Sequence, residues 1–570
     1  MNYLAKAIFI GIAVSFTFTA VEAQKKIAKK KAVVKTATKT VSKPAPKETV
    51  IVLAGDTSAP KVVTITSAFK PYLKNAVKVN FTAASPVIDS SKIPVVYSIP
   101  SQSLFFSYQP VAIKPLALAV DSGFIWNNDQ YIKLGAGNFS SVLGEAAFSF
   151  GDGKHSITNL RGNFITATGH LPAQQTAKWG IDVVSIFNTN NNNEWTAHPY
   201  YNSSTQYQYG YQPASLNYSK DQLLQKFNTV GVELGLQNKT ANSFGITYHP
   251  QVHFIRFSDS HEDKENQLII KAPINKAFGK IYALDLDLGA DLSRTDIFPI
   301  SNNLFYVNPS IQFKTPNVRI IAGIRPSWDD QVYSTLPNIT IEGKVADALS
   351  LEAGWIGYYQ KNTLRSLSNI NPWVGPLSSL KNTLIKEQYA GIKGATGDHF
   401  TYQARVSFQQ LTNQALFINT LADGKTFNVL FEPDMKALKL HGELAYTLQE
   451  NVSIMAGVTY TQYSSLSVNQ KAWGLLPLEA TGAVKWKILK DLQLKADVFL
   501  WDGSAYRDAT LQAKKLNAVA DLNFGAEFSV MPKLNIWLQM NNLLNSTYQR
   551  WNQYPVLGTQ VLAGVVYSFR

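Results

Sequence analysis

Eight histidines stand at positions 155, 170, 198, 249, 253, 261, 399 and 441, the residue type that ligates metals or moves protons near neutral pH. On an extended chain His249 and His253 share a face, but at ~3.3 Å per residue they lie about 13 Å apart, too far for one metal ion. Asp259, His261, Glu262 and Asp263 form a compact polar cluster that would suit a cation and equally suits a solvated loop. Asp285, Asp287 and Asp291 fall on one face of an extended run, where neighbours two apart stand ~6.6 Å from each other. That spacing admits a pair of acids, and it also describes the acid-lined wall of a channel. No Gly-x-Ser-x-Gly elbow, phosphate loop or His-Glu-x-x-His helix occurs, so nucleophile, nucleotide and zinc-protease chemistries lack their residues. The chain has no cysteine, which removes disulfides, thiolate metal sites, a cysteine nucleophile and a lipidated N-terminal cysteine. The expectation is a chain that is not an enzyme, with no catalytic residues, no bound metal and no cofactor.

The elements that carry these residues repeat with period two. Leu284, Leu286, Leu288, Ala290 and Leu292 occupy one parity, and Asp285, Asp287, Gly289, Asp291 and Ser293 the other, the mark of a strand with one apolar and one polar face. The same split recurs over residues 402–408, 438–448, 452–460, 492–500 and 534–540. Short breakers interrupt the runs at Thr315-Pro316-Asn317, Ala346-Asp347-Ala348, Gln449-Glu450-Asn451, Lys490-Asp491 and Met531-Pro532-Lys533. Longer polar stretches lie at 188–226, 363–384, 462–477 and 502–517. Tight turns on one side and long loops on the other are the pattern of a transmembrane β-barrel. A soluble sandwich would mix more bulk into its apolar faces than this Leu- and Val-rich parity. The sequence therefore predicts an all-β fold, a transmembrane antiparallel barrel of about 22 strands over residues 116–570. It must close on itself, because an unpaired edge in lipid leaves N–H and C=O groups unsatisfied, and its polar parity then lines a lumen.

Composition agrees with that class. The 570 residues carry 53 Lys and Arg against 39 Asp and Glu, a net charge of +14, with only 16% charged and 45% hydrophobic residues, which excludes a disordered chain. No apolar run of ~20 residues follows the N-terminal segment, which excludes a bundle of membrane-crossing helices. Residues 1–23 read as a secretory signal, with Lys6, an apolar stretch from Ala7 to Ala20, and Val21-Glu22-Ala23 for the peptidase. Residues 24–47 read as a disordered tether with nine lysines and no acid, unable to build a core. The basicity of the chain is thus largely a property of this tail. It suits a solvated linker, or attraction to phosphate head groups or an acidic partner. No nucleic acid is expected, since no stacking aromatics interleave with the lysines. From Asn188 to Leu216, asparagines lead into Trp195, Tyr200, Tyr201, Tyr207, Tyr209 and Tyr211. This reads as a loop surface suited to stacking on sugar rings or meeting a partner, or as an interfacial belt.

The end of the chain carries a family likeness. Gly564, Tyr567 and Phe569 have the spacing Gly-x-x-aromatic-x-aromatic, which resembles the C-terminal signal by which the outer-membrane insertion machinery recognises barrels. Leu562 and Arg570 depart from that pattern. Upstream, Asn541-Asn542-Leu543-Leu544-Asn545, Tyr548, Trp551, Tyr554-Pro555 and Gly558 resemble the closing segment of TonB-dependent receptors. Residues 131–138 and Phe150-Gly151-Asp152-Gly153 resemble the first barrel hairpin of a subgroup common in Bacteroidetes. Glu48, Thr49, Val50, Ile51 and Val52 resemble the box that pairs with TonB, and residues 62–66 the strand that opens the family's plug, although a plain extended linker contains the same strings. Residues 48–115 span about half of such a plug, so the resemblance implies a truncated or missing plug, a reduced plug-like or periplasmic segment.

The resemblance implies a bacterial outer-membrane location, insertion by the barrel-assembly machinery, contact with outer-membrane lipid, and pairing with TonB or another periplasmic protein. It implies binding or admission of a solute across that membrane. The competing reading is a plug-less structural or interaction barrel that partners other envelope proteins, and an open diffusion pore is the third.

Overall fold

The computed structural model describes residues 130–569 except 214, 261–262, 297–298 and 449–450. The expected signal (1–23), tether (24–47), box (Glu48 to Val52) and plug-like segment (48–115) lie outside the described residues. The chain begins its staves with β1 (Tyr131–Gly137), β2 (Ser141–Gly151), β3 (Ser156–Ala167), β4 (Thr176–Asn188) and β5 (Asn193–Tyr207). A short helix, α1 (Lys220–Leu223), precedes β6 (Leu224–Asn238), β7 (Ile246–Tyr248), β8 (Gln251–Ser258), β9 (Lys264–Phe278) and β10 (Tyr282–Thr295). Then come β11 (Ser301–Lys314), β12 (Val318–Asp329), β13 (Val332–Ala346), β14 (Leu349–Gln360) and the helix α2 (Leu364–Ile370). The run continues with β15 (Thr383–Thr396), β16 (Phe400–Asn419), β17 (Phe427–Leu448), β18 (Val452–Ser464), β19 (Leu478–Leu489) and β20 (Leu492–Trp501). It ends with β21 (Ala505–Arg507), β22 (Ala513–Lys515), β23 (Val519–Met531), β24 (Leu534–Asn541), β25 (Gln549–Trp551), β26 (Tyr554–Pro555) and β27 (Gln560–Ser568).

Successive staves pair antiparallel, and β27 pairs with β1 from Ser568 opposite Tyr131 to Leu562 opposite Gly137, which closes the sheet. Strands β7 and β8 both pair with β9 and form one stave interrupted at His249 and Pro250. The hairpins β21–β22 and β25–β26 sit inside loops. The result is a closed antiparallel barrel of 22 staves, the architecture and number that the period-two pattern predicts. Among the described residues the first stave starts at Tyr131, and the expected boundary at 116 lies outside them.

The alternation read from the sequence is the inside–outside alternation of the wall. Leu284, Leu288, Ile341, Leu351, Leu440 and Val565 project outward and are exposed, where hydrocarbon would cover them. Their neighbours of opposite parity pair across the inner face: Arg405 with Glu352 at 2.5 Å and Lys393 with Glu342 at 2.8 Å. Closure leaves no strand edge, so every stave satisfies its backbone groups through neighbours. No helix among the described residues is long and apolar enough to cross a membrane; the crossing falls to strands. Connections at the end holding Tyr131 and Ser568 are tight, as at 152–155, 315–317, 347–348 and 532–533. The long connections, 208–223, 361–382, 465–477, 502–518 and 542–559, all lie at the other end. We call these the turn end and the loop end.

On the inner face, glycines make room for rings that lie flat on the wall. A Cβ at Gly231 would stand 2.2 Å from the ring of Tyr200, one at Gly289 2.1 Å from Tyr306, and one at Gly354 2.5 Å from Tyr389. Lying across β6, Tyr200 reaches His253 on β8 at 3.0 Å. Arg405 sits 4.0 Å over Tyr389 and Arg325 5.0 Å over Tyr306, cations held on π faces. Gly231→Val is therefore expected to overpack the wall at a cost of about 1–3 kcal/mol. Heat-dependent gel mobility of the folded barrel should show unfolding at a lower temperature. Gly343→Val, where the added Cβ meets nothing within 4 Å, should leave that temperature unchanged.

Candidate functional site

The most extensive apolar cluster among the described residues lies at the loop end. It joins Leu364, Leu367, Ile370, Trp373, Val374, Leu377 and Leu380 of loop 361–382 to Phe257, Phe417, Phe427, Trp551 and Tyr554. Loop 361–382 springs from β14 and β15, whereas Phe257 belongs to β8, Phe427 to β17, and Trp551 and Tyr554 to the loop between β24 and β27. Segments so far apart around the wall meet only if the loop folds inward across the mouth of the lumen.

Its local structure follows from its residues. Leu364, Leu367 and Ile370 recur at helical spacing and bury one side of α2. Thr363 caps the helix by accepting from the Ser366 amide at 3.0 Å, and Ser366 Oγ accepts from the Thr363 amide at 2.8 Å, a reciprocal cap. Asn371 and Pro372 end it. Glu265, buried on β9, accepts from the free helix amides of Leu364 at 3.0 Å and Arg365 at 3.1 Å. On the far side the loop joins β17: Phe427 N donates to Trp373 O at 2.9 Å and Gly375 N to Phe427 O at 3.0 Å. At its root Asn382 Nδ2 donates to Asp329 Oδ1 at 2.6 Å, and Asn302 Nδ2 donates to Asn362 O at 2.9 Å. These buried bonds leave few free polar groups at the loop's base.

The centre of the closure is aromatic. Trp373 stacks on Tyr554 with ring centroids 4.0 Å apart and planes at 21°, and Tyr209 meets Tyr554 edge-on at 5.2 Å. Loops 208–223, 361–382 and 542–559 each supply one of these rings. Tyr209 Oη donates to Pro555 O at 2.7 Å and Tyr554 Oη to Lys425 O. Burial pushes the Tyr209 hydroxyl up to about 12 and Tyr554 well above its ordinary value, so both remain protonated donors at neutral pH.

A further loop is held by one carboxylate. Glu432, five residues inside the loop end of β17, accepts five hydrogen bonds: from the amides of Ser467 (2.6 Å), Val468 (2.8 Å) and Asn469 (2.9 Å), from Ser467 Oγ (2.8 Å) and from Asn469 Nδ2 (2.8 Å). Burial raises its pKa, but the bonds from Asn469, Val468 and Ser467 outweigh that and hold it at about 2. A depressed carboxyl contributes stability that is full above its unfolded value near ~4.3 and is lost as pH falls through the folded value. Loop 465–477 is thus expected to become sensitive to an acid-active protease between about pH 4 and pH 2, and Glu432→Gln to be sensitive already at neutral pH.

The residues singled out in the sequence fall in several places. The expected loop surface is corrected: residues 189–192 of the asparagine-rich stretch form a tight turn between β4 and β5, Trp195, Tyr200, Tyr201 and Tyr207 lie on β5, and the loop proper is 208–223. Trp195 is exposed on the outer wall and Tyr200 lies inside. Tyr209 joins the aromatic centre, and Tyr211 meets Tyr218 edge-on at 5.4 Å. Asp285 accepts from Asn275 at 2.6 Å and Asp291 from Gln267 at 2.8 Å, so amides rather than a second acid satisfy them. Asp259 Oδ1 accepts from the amide of Asp263 at 3.0 Å; His261 and Glu262 lie outside the described residues. Among the described residues no group of three His, Asp or Glu is placed to hold a metal ion. Gly564 and Tyr567 lie on β27, with Phe569 just beyond, and Tyr567 and Phe569 project outward. Loop 363–384 was read as polar; its apolar helix-spaced residues were the signal that it folds inward.

No family model matches the chain, and no curated protein does. Solved structures match it in shape. The FrpB iron transporter from Neisseria meningitidis aligns over 78% of this chain and 82% of its own, with TM-score 0.61 and 10% identity. The siderophore receptor PirA from Acinetobacter baumannii aligns over 78% and 80%, with TM-score 0.61 and 10% identity. The copper transporter OprC aligns over 78% and 80%, with TM-score 0.57 and 13% identity. The chain shares their barrel fold. At such identities the likeness is one of architecture.

Proposed function

We propose that the chain is an outer-membrane barrel of the TonB-dependent receptor type that binds a solute at its loop end and admits it through the lumen. The closed 22-stave barrel, with a polar inner wall and one mouth covered by its own loops, carries this reading. A barrel of this size left uncovered would leak, so a covered mouth is what a selective uptake route needs. In this reading the loop end faces outside and the turn end faces the periplasm, as in barrels with short periplasmic turns. The outward Tyr567 and Phe569 with Gly564 serve as the assembly signal, outer-membrane lipid covers the wall, and Glu48, Thr49, Val50, Ile51 and Val52 pair with TonB by strand addition. The likeness of residues 131–138 to a Bacteroidetes subgroup fits the same assignment. Residues 48–115 act as a reduced plug.

Comparing the medium left by cells with the chain, without it, and with Val50→Pro tests this. Proline cannot donate to an added strand, so the same solute should remain unconsumed by the last two, while gel mobility shows the variant barrel assembled. Equal depletion by all three would contradict uptake.

A further inference from the structure

We propose that the contact between loop 361–382 and the loop-end part of β5 and β6 is the binding site for an uncharged, hydroxyl-rich solute of the saccharide class. The proposal rests on the reading of the chain as an uptake barrel and names what it takes.

The wall contributes Gln206 and Gln225, cross-strand partners on β5 and β6, and Gln208 just beyond β5. The loop contributes Asn371 and Trp373. These residues form one connected set. Gln206 Nε2 donates to Pro372 O at 3.3 Å, Gln208 Nε2 donates to Gln225 Oε1 at 3.4 Å, and Asn371 Oδ1 accepts from the Trp373 amide at 3.1 Å. Gln208, Gln225 and Asn371 are each 0% exposed and Trp373 is 7% exposed. Even so, Gln208 Oε1, Gln225 Nε2, Asn371 Nδ2 and Trp373 Nε1 have no hydrogen-bond partner among the described residues.

Four unpaired polar atoms in one buried contact oppose closure, because each has lost water without replacement. Leucine in place of Gln208 and Gln225 would remove two of the four. Their presence makes sense if another state pairs them. The set offers three donors and one acceptor and carries no charge. A hydroxyl both donates and accepts, so a polyhydroxylated solute satisfies all four, while the rings of Trp373, Tyr209 and Tyr554 beside them suit the apolar faces of sugar rings. An ionised chelate would face a set with no counter-charge, an unfavourable place for a desolvated ion. With the loop folded in, the atoms are covered, so the solute enters as Asn371 and Trp373 withdraw from the wall. Binding and opening of the mouth are then one event, since a ligand shifts a conformation by its preference for one state.

Full-length protein in lipid nanodiscs should be titrated calorimetrically with maltohexaose, xylohexaose and mannohexaose, and with hexagalacturonate and a ferric trihydroxamate as charged comparisons. At least one neutral hexasaccharide should bind. The double variant Gln208→Leu, Gln225→Leu should bind it at least tenfold more weakly, with an unfolding temperature equal to or above that of the parent. Three results would overturn the site: binding only by charged probes or by none, equal binding by the variant, or a lower unfolding temperature showing that the amides are structural. Because these readouts use purified protein, saccharide binding without uptake by cells would count against the uptake reading alone. Uptake of a charged solute without saccharide binding would count against this site alone.

Discussion

Replacing residues 364–380 by a short Gly-Ser linker is expected to turn the barrel into an open pore, with steps in planar bilayers roughly tenfold or more above the intact chain. The reason is the route that loop takes. It leaves the wall at β14, lays α2 against Glu265 of β9, presents Trp373 to Tyr554, bonds to Phe427 of β17, and returns to β15. Among the described residues no other loop supplies as many buried apolar side chains to the cluster over the mouth. A chain beginning near residue 116 with its loops intact should stay closed, because the apolar cluster over the mouth is built among the described residues by the barrel's own loops and staves. Paired with the same replacement, that shortened chain should conduct. Wide conduction by the shortened chain with its loops intact would show that the loops do not seal the mouth.

The second large effect is expected at the centre of the closure. Trp373→Ala removes an indole that stacks on Tyr554 at 4.0 Å and fills the junction of three loops, a truncation that typically costs about 3–5 kcal/mol. Because the staves are tied to each other and not to this ring, the cost should appear as local opening and not as loss of the barrel. That is about two to three and a half powers of ten in the opening constant, readable as faster amide exchange over residues 364–375 with unchanged exchange in β1–β4. Trp373→Phe, which keeps a ring in the stack, should lose less than half of that. Exchange unchanged in Trp373→Ala would mean that the ring does not hold the loop.

The barrel was legible in the sequence and its closure was not, for the same physical reason. A stave in lipid must put every second residue into hydrocarbon, so runs such as Leu284 to Leu292 declare both their conformation and their outer face. Turns such as Thr315-Pro316-Asn317 mark the turn end for a local reason as well, since proline and asparagine fix tight bends. Loop 361–382 obeys neither rule. Its apolar residues are spaced for a helix of only two turns and separated by Ser, Asn, Gly and Pro, which by composition read as solvated. What buries them is contact with Phe427 and Tyr554, distant in sequence, and no local pattern announces that. Trp195 and Tyr200 misled in the opposite way: their asparagine-rich surroundings suggested a loop, whereas Trp195 faces outward and Tyr200 inward on β5 because their parity within the stave differs. Nothing in the sequence sets Glu265 and Glu432 apart from other acids, and only the folded chain shows each receiving backbone amides from a loop.

The most direct test of a mouth closed by its own loop uses the absence of cysteine from the chain. Thr459 faces inward on β18 beside His441, below the loop end and partly exposed to the lumen, and Thr459→Cys changes its volume little. Whole cells carrying that variant should be treated from outside with a bulky membrane-impermeant maleimide, beside the same variant with residues 364–380 replaced. The expected result is no labelling with the loop present and rapid labelling once it is gone. Equal labelling of both would contradict a closed mouth.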